Sequence, residues 1–366
     1  MTKKQVRIAC MDGVGYDILG WFSSVLGAER ENGECEFEFI RDEKNPQFII
    51  YSVFSTRHIH YDCVRIFYTA ENCRADFNFC DYAISYDFLE FGERHLRYPY
   101  YLRNLVGVDK NSAMYERGNL GAEFANRKFC SFVVSNGKAD ELRSKVFDAL
   151  NAYKRVDSAG KFKNNMGFLT DDKIAFLKDY KFNICFENCY TNGYITEKII
   201  DAKKANSVPI YWGGGFCKRK SNRLKSRENL HESFESRESS GFIDNCAIFN
   251  PNAFVNLADF SDINEMLEFI KYLDNDENAY LAMLNEPLIL DSQILEKNDQ
   301  RLADFLRHIF SAENPYARGF GQWRMNLEKR YVRFQKTREV VNKIIDCYRK
   351  AIFLSFWKKL FAKERR

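Results

Sequence analysis

The sequence contains no apolar run long enough to cross a membrane. A spanning helix needs roughly 18 apolar residues in succession, and no segment of the 366 residues reaches that length. Residues 1–10 also lack the apolar core of a secretory signal, so we expect no cleaved leader. Proline is scarce, at six residues, while apolar residues make up 45% of the chain. This composition excludes collagen-like, disordered and multi-span membrane proteins.

Paired cysteine motifs are missing as well. The eleven cysteines are scattered, form no CxxC pair, and come closest together at Cys185 and Cys189. A structural zinc site needs such pairs, so no zinc site is expected. An odd number of cysteines, in a chain long enough to fold without disulfides, favours reduced thiols and a cytoplasmic protein.

The charge is distributed unevenly along the chain. The formal net charge is only +4, but residues 317–366 carry 15 lysines and arginines against 4 acidic residues. The preceding part therefore has a net charge of −7. An acidic body disfavours nucleic acid as a partner, whereas a basic tail suits an anionic surface such as a membrane.

Short strand-like runs alternate with helical periodicity through most of the chain. Predicted strands fall at residues 6–11, 36–40, 48–54, 64–69, 82–86, 128–136, 182–186 and 208–212. Predicted helices fall near residues 16–22, 141–152 and 195–205. Such alternation is typical of α/β domains with parallel sheets. The length predicts two of them, at 1–122 and 123–312, with a helical basic tail at 313–366 and the active site in the cleft between the domains.

The densest chemistry lies at residues 182–200, FNICFENCYTNGYITEKII. A buried strand there ends in a polar elbow that leads into a helix amino terminus, whose free N–H groups favour an anion such as a diphosphate. Lys198 adds a positive charge in the first turn, which is unfavourable for an unpaired lysine unless an anion binds. Glu197 can accept hydrogen bonds from sugar hydroxyls. The residues alone leave a second interpretation open, a capped helix with a surface Glu–Lys pair.

This segment, with SVPIYWG at residues 207–213, resembles the donor-binding motif of the α-1,3/4-fucosyltransferases of glycosyltransferase family 10. Bacterial Lewis-antigen-type members are the nearest match, and the resemblance extends from about residue 6 to about residue 290. It implies an inverting enzyme of the GT-B type, with two Rossmann-like domains that face each other across a cleft. It also implies GDP-fucose in the C-terminal domain and a glycan acceptor of the N-acetyllactosamine type against the N-terminal domain.

The resemblance assigns donor contacts position by position. Seven positions match the family's donor-binding segments: Ser135, Asn136, Arg143, Asn188, Tyr194, Glu197 and Lys198. Arg143 matches the arginine that contacts the diphosphate, although one extra residue lies between Asn136 and Arg143.

The resemblance also implies a general base. Residues 66–72, IFYTAEN, are similar to the segment that carries the family's proposed base, which falls on Glu71. A lone glutamate after a strand is usually solvated, so this assignment depends on the matching segment. Glu90 and Glu93 stay open as alternative bases.

The implied mechanism needs no obligate metal. Arg143 and Lys198 would stabilise the negative charge that develops on the leaving phosphate, while Glu71 deprotonates the attacking hydroxyl. Glu197 would orient the donor or support the positive sugar ring, which makes it the second catalytic candidate. Residues 274–276, DND, look like a metal-binding DxD motif, but we interpret them as a solvated turn.

Two segments depart from the family pattern. Residues 216–244 form a charge-rich insert, either a mobile surface loop or a lid that contacts the acceptor. At the C-terminus we find no heptad repeat. Instead, apolar residues can share one face of a basic helix: Val341, Ile345, Ile352, Phe353, Phe356, Trp357 and Leu360. This helix either binds an anionic inner-leaflet surface as a peripheral anchor or packs across both domains.

The sequence is also compatible with other classes of function. A transferase of the same fold that uses another nucleotide sugar is the main rival. The pattern of a helix followed by a strand with Val-Pro is shared by more transferases than those specific for fucose. A non-catalytic glycan-binding protein would not need Glu71, Arg143 and Lys198 together. The resemblance implies an α-1,3 (Lewis x type) linkage in surface polysaccharide biosynthesis, without settling α-1,3 against α-1,4.

Overall fold

Six strands in the N-terminal part of the chain form one parallel sheet. The computed structural model describes residues 3–28, 33–215, 245–313 and 322–363. The strands are β1 (Lys4–Met11), β2 (Phe37–Arg41), β3 (Phe48–Tyr51), β4 (Val64–Tyr68), β5 (Tyr82–Ser85) and β6 (His95–Arg97). Their order is β2-β1-β3-β4-β5-β6, and each neighbouring pair is parallel. Helix α1 (Asp17–Gly27) follows β1 and shares its core.

A second parallel sheet follows in the C-terminal part. Its strands are β7 (Lys128–Ser131), β8 (Val156–Asp157), β9 (Tyr180–Ile184), β10 (Val208–Tyr211) and β11 (Val255–Asn256), in the order β11-β10-β9-β7-β8. Helices α2 (Leu142–Tyr153), α3 (Lys173–Leu177) and α4 (Glu197–Lys204) connect the first four of these strands. Every residue of β9 and β10 is buried, as expected for strands that helices cover on both faces.

The strand order of the second sheet changes direction between β7 and β9. The chain places β8 on one side of β7 and then returns to place β9 on the other side. The connections that follow β7 and β9 therefore separate at the carboxyl ends of these strands. Such a switch point opens a crevice, which is the usual ligand site of an α/β sheet.

The last helices reconnect the two halves. Four helices, α5 (Asn245–Ile248), α6 (Ile263–Asn275), α7 (Glu277–Leu284) and α8 (Ile294–Phe310), follow β10. Helix α8 packs on the first sheet, where the Phe310 ring lies 5.1 Å from that of Phe48. Its Asp299 accepts a hydrogen bond of 2.6 Å from Tyr98. The C-terminal part of the chain thus returns to stabilise the N-terminal core.

The structure confirms the predicted fold class, an α/β protein with parallel sheets. The predicted strands occur within about two residues of their expected ends, except that the runs at 48–54 and 128–136 stop earlier, at Tyr51 and Ser131. Three strands had no prediction: β6, β8 and β11. Two of them contain only two residues, and the third reads His-Leu-Arg, so none gives an apolar pattern. The domain boundaries stay a prediction.

The interpretation of residues 274–276 as a solvated turn is wrong for Asp274. This residue lies in α6, and its side chain is only 2% exposed. It accepts hydrogen bonds of 2.7 Å from Lys181 and 3.0 Å from Lys154. Asp276 instead caps α7 through the N–H of Ala279. Neighbours distant in sequence bury this carboxylate, which its local sequence does not indicate.

The described chain ends in a long helix, α9 (Gln322–Lys363). Val341 and Ile345, which the amphipathic pattern singled out, are 46% and 42% exposed, so they do not pack across the two domains. The other five residues of that face have side chains outside the described residues, as does the insert at 216–244. Among the described helices, none has the length and hydropathy of a membrane span.

Candidate active site

A cleft of about 540 Å³ lies at the switch point of the second sheet. Its floor consists of residues 133–136, which follow β7, and of Cys185, Phe186 and Asn188, which follow β9. Glu71, from the first sheet, also lines it. All eight residues that the sequence proposed for catalysis or donor binding line this one cleft: Glu71, Ser135, Asn136, Arg143, Asn188, Tyr194, Glu197 and Lys198. Their roles stay predictions.

Arg143 supplies a buried positive charge near the start of α2. It is 2% exposed, and its Nη1 donates a hydrogen bond of 2.9 Å to Asn188 Oδ1. Its Nε is buried and has no hydrogen-bond partner among the described residues. Burial lowers the pKa of this guanidinium, while the carboxylate of Glu187 opposes that effect. A desolvated guanidinium with an unused donor is suited to bind a phosphate oxygen.

Lys198 is not the unpaired lysine that the sequence suggested. Its Nζ donates hydrogen bonds of 2.7 Å to Glu187 Oε2 and 3.0 Å to Thr196 Oγ1. Burial disfavours the charge, but Glu187 and Glu197 outweigh burial and raise the pKa of Lys198. The ammonium group therefore stays charged and is fixed on the wall of the cleft.

Glu187 is the functional candidate that sequence reasoning missed. Its side chain is completely buried in the segment that follows β9, and it accepts hydrogen bonds of 2.8 Å from both the N–H and the hydroxyl of Thr196. Tyr211, which lies in β10, donates a further hydrogen bond of 3.2 Å to this carboxylate. Gly213 allows the approach, because a Cβ at that position would lie 2.6 Å from Glu187 Cγ. A carboxylate shortly after a buried strand, eleven residues before a lysine, was the available signal.

The carboxylate therefore organises the amino terminus of α4. Thr196 is the N-cap residue, with extended backbone angles, but its hydroxyl does not cap the helix. Its polar groups point instead to Glu187, which ties the strand end to the helix start. The cleft thus combines this fixed helix terminus with two cations, Arg143 and Lys198.

Glu71 reaches the cleft from the opposite sheet. It lies in the turn after β4, where its N–H donates to Thr69 Oγ1 at 3.0 Å. Its half-buried carboxylate has no hydrogen-bond or ion-pair partner in the part of the chain that the structure describes. Burial, together with the carboxylates of Glu187 and Glu71, raises the pKa of the neighbouring Tyr194, so this phenol stays protonated. An unpaired carboxylate on the cleft wall can accept a proton from a bound hydroxyl.

The described residues contain no group of three or more His, Cys, Asp or Glu side chains arranged to hold a metal ion. A third lysine on the cleft wall, Lys173, is paired with Asp201 at 2.8 Å.

Two family models match the chain on either side of residues 104–123. The "Alpha-(1,3)-fucosyltransferase FucT N-terminal domain" matches residues 34–103, and "Glycosyltransferase family 10 (fucosyltransferase) C-term" matches residues 124–224. Both models describe glycosyltransferase family 10, and the chain matches that family in both regions. The N-terminal family region contains Glu71, whereas the C-terminal one contains the seven predicted donor positions and Glu187.

Curated fucosyltransferases are also similar to the chain. The chain is 36% identical to an alpha-(1,3)-fucosyltransferase of Helicobacter pylori over 251 residues, which cover 61% of this chain and 46% of the relative. It is 27% identical to a mouse 4-galactosyl-N-acetylglucosaminide 3-alpha-L-fucosyltransferase over 163 residues, or 44% and 37% of the two chains. The chain thus spans less than half of the length of these relatives.

A solved structure extends the family 10 similarity to nearly the whole fold. The chain resembles an alpha1,3-fucosyltransferase crystallised with GDP-fucose, with a TM-score of 0.60 and 27% identity. The alignment covers 87% of this chain and 94% of that one. A crystal structure with GDP gives the same TM-score and identity.

Proposed function

We propose that this family 10 protein transfers L-fucose from GDP-fucose to an N-acetylglucosamine hydroxyl, with inversion at the anomeric carbon. The observation that carries the proposal is the composition of the cleft. A buried guanidinium with an unused donor and a fixed ammonium group lie on one wall, and an unpaired carboxylate approaches from the other sheet. The solved relatives with GDP-fucose and GDP support the choice of donor.

The two cations account for departure of the nucleotide. When the bond between the fucosyl carbon and the phosphate oxygen breaks, negative charge grows on the β-phosphate. The Arg143 guanidinium lines the cleft and can donate to that oxygen, while Lys198 adds charge from a position that Glu187 fixes. Since these groups are oriented before the reaction, little reorganisation is required. We therefore propose that no divalent metal is obligatory and expect turnover in the presence of EDTA.

Glu71 accounts for activation of the acceptor. It follows a strand of the first sheet, whereas Arg143 and Lys198 lie in helices that connect strands of the second sheet. An acceptor hydroxyl beside Glu71 would attack from the face opposite to the leaving phosphate, which inverts the configuration. The proton of that hydroxyl passes to the Glu71 carboxylate as the new bond forms. Glu197 lies at the start of α4, where it can orient the sugar hydroxyls or support the positive ring.

We propose an acceptor of the N-acetyllactosamine type and an α-1,3 linkage, in surface polysaccharide biosynthesis. The names of the bacterial and mouse relatives support the linkage. The deciding assay measures GDP or UDP release from GDP-fucose, GDP-mannose and UDP-galactose, with and without acceptor, in EDTA. Acceptor-dependent release from GDP-fucose alone is the expected result. Turnover of another donor alone would reject fucose and retain the transferase.

Arg143 provides a direct test of donor binding. Arg143→Lys keeps the charge but loses the planar fork, so we expect GDP to bind roughly 10-fold to 100-fold more weakly. Arg155→Lys is the control, because Arg155 lies outside the cleft and its side chain is 68% exposed. Equal GDP affinities for both variants, measured by calorimetry, would remove Arg143 from the phosphate site.

We further propose that the basic tail attaches the enzyme to the anionic inner face of the cytoplasmic membrane. The net charge of +11 between residues 317 and 366 supports this, together with the exposed Val341 and Ile345. Sedimentation with phosphatidylglycerol vesicles should capture the full chain, while phosphatidylcholine vesicles should not. Lys358→Glu with Lys359→Glu should weaken capture if the tail is the attachment site. Nucleic acid is not a proposed partner.

A further inference from the structure

The side chain of Asn72 joins the two walls of the cleft through hydrogen bonds. Asn72 follows Glu71 in the turn after β4, and its Nδ2 donates a hydrogen bond of 2.6 Å to Thr191 Oγ1. The same amide group contacts Cys189 Sγ. Thr191 and Cys189 lie in residues 189–196, the donor loop, which leads from β9 into α4 and carries Tyr194. Asn72 thus connects the residue next to the proposed general base with the loop that lines the donor site.

The amide oxygen of Asn72 accepts a hydrogen bond from a residue next to the first sheet. Tyr86, directly after β5, is buried and donates a hydrogen bond of 2.5 Å to Asn72 Oδ1. Its ring packs edge-on against that of Tyr194, with 5.1 Å between the centroids. All the polar groups of the Asn72 side chain therefore have a partner, one from each wall of the cleft.

The donor loop also contacts the segment that follows β5, and at Gly193 there is no room for a side chain. Gly193 has φ +82°, and a Cβ there would lie 2.9 Å from the carbonyl oxygen of Tyr86 and 2.8 Å from the Phe88 ring. The two loops are therefore in direct contact beside Asn72. A displacement of the donor loop has to move Asn72 or break its hydrogen bonds.

We propose that Asn72 is a positioning residue, which holds Glu71 in register with the donor loop. This inference rests on the proposed function, since it takes Glu71 as the general base. Backbone hydrogen bonds fix the turn itself, including one of 2.7 Å from the Cys73 N–H to the Glu71 carbonyl. Within the described residues, the Glu71 carboxylate has no partner of its own, so its place depends on the turn. Asn72 supplies the side-chain connection between this turn and the opposite wall.

The role predicts a separation between donor binding and transfer. Glu71 lines the cleft, but Asn72 does not belong to the described residues that line it. Loss of the Asn72 amide should leave the donor site intact while the carboxylate shifts from the attacking hydroxyl. A misplacement of about 1 Å costs on the order of 100-fold in rate. Water can still attack the fucosyl carbon, so a larger share of the GDP released should appear without fucosylated acceptor.

The test combines Asn72→Ala, Thr191→Val and the double variant. We expect each single variant to lower kcat for transfer by on the order of 100-fold, with GDP-fucose affinity within about threefold of the wild type. The double variant should be no worse than either single one, because both remove the same contact. Thr191→Ser, which keeps the hydroxyl, should restore transfer. Asn78→Ala is the matched control, since Asn78 lies in the same connection and its amide bonds to Asp76 rather than to the donor loop.

The outcomes separate this inference from the proposed function. A parallel loss of GDP-fucose affinity in Asn72→Ala would place Asn72 in the donor site and overturn the inference. Effects that multiply in the double variant, or unchanged transfer in both single variants, would also overturn it. A wild-type protein that transfers no fucose would instead reject the proposed function. Should Asn72→Ala fail to fold, Thr191→Val and Thr191→Ser test the contact from the other wall.

Discussion

The ammonium group of Lys198 lies 2.7 Å from a carboxylate oxygen of Glu187, whose side chain is completely buried. This pair explains how a lysine can occupy the first turn of a helix, where the dipole disfavours it. The carboxylate forms an ion pair with the charged lysine and at the same time holds Thr196. The positive charge is therefore positioned for a phosphate before any ligand binds.

Glu187→Gln should lower both stability and donor affinity. The substitution keeps the shape but removes the charge, which leaves Lys198 as a largely buried cation without a charged partner. Breaking such a pair costs about 3 kcal/mol of the free energy of unfolding, which urea denaturation measures. Glu141→Gln is the control, because Glu141 and Lys145 form an exposed pair. Such a surface pair contributes less than about 1 kcal/mol, so equal losses in both variants would contradict the assigned role of Glu187.

The sequence predicted the cleft better than it predicted the contacts inside it. Local patterns locate strand ends, and parallel strands bring their carboxyl ends to one edge, so residues after β7 and β9 meet. The pairing of Glu187 with Lys198 depends on side-chain direction at the end of β9. It also requires the close approach of Gly213, after β10. Such contacts between distant segments leave no periodicity that a single sequence reveals.

Glu71→Gln should abolish acceptor activation without affecting donor binding. The amide cannot accept the proton of the attacking hydroxyl, so we expect kcat to fall by about 100-fold to 10,000-fold. GDP-fucose affinity should stay the same, because the variant removes no donor contact. Glu90→Gln and Glu93→Gln are the matched controls, since both residues are exposed and lie outside the lining of the cleft. If one of these controls loses activity and Glu71→Gln does not, the general base has been assigned to the wrong residue.

The buried Asp274 should make the free energy of unfolding fall at acidic pH. Burial alone would raise the pKa of this carboxyl, but the hydrogen bonds from Lys181 and Lys154 lower it below the ordinary value of 3.8. A group with a lowered pKa in the folded state stabilises the fold fully above its ordinary pKa. That contribution is lost as the pH falls through the folded-state pKa.

Asp274→Asn should therefore cost about 3 kcal/mol of the free energy of unfolding at pH 7. The difference from the wild type should shrink below about pH 4, as Asp274 becomes protonated. Asp148→Asn is the control, because the carboxylate that pairs with Lys163 is itself 63% exposed and the variant should change little at any pH. A difference between wild type and Asp274→Asn that stays constant down to pH 2 would show that the charge is not the stabilising feature. The burial of Asp274 depends on Lys181, 93 residues earlier, which is why the sequence suggested a solvated turn.

Gly193→Ala tests the direct contact between the donor loop and the first sheet. The added methyl group would meet the Tyr86 carbonyl and the Phe88 ring, and the backbone angle of φ +82° is unfavourable for alanine. We expect a loss of about 1–3 kcal/mol in the free energy of unfolding, together with weaker GDP-fucose binding, because Tyr194 follows directly. Gly20→Ala provides the opposite control: Gly20 lies inside α1 with no atom within 4 Å of an added Cβ. That variant should gain about 0.5–1 kcal/mol. If Gly193→Ala is as stable and active as the wild type, the two loops are not in close contact in solution. The proposed connection through Asn72 would then lose the contact beside it.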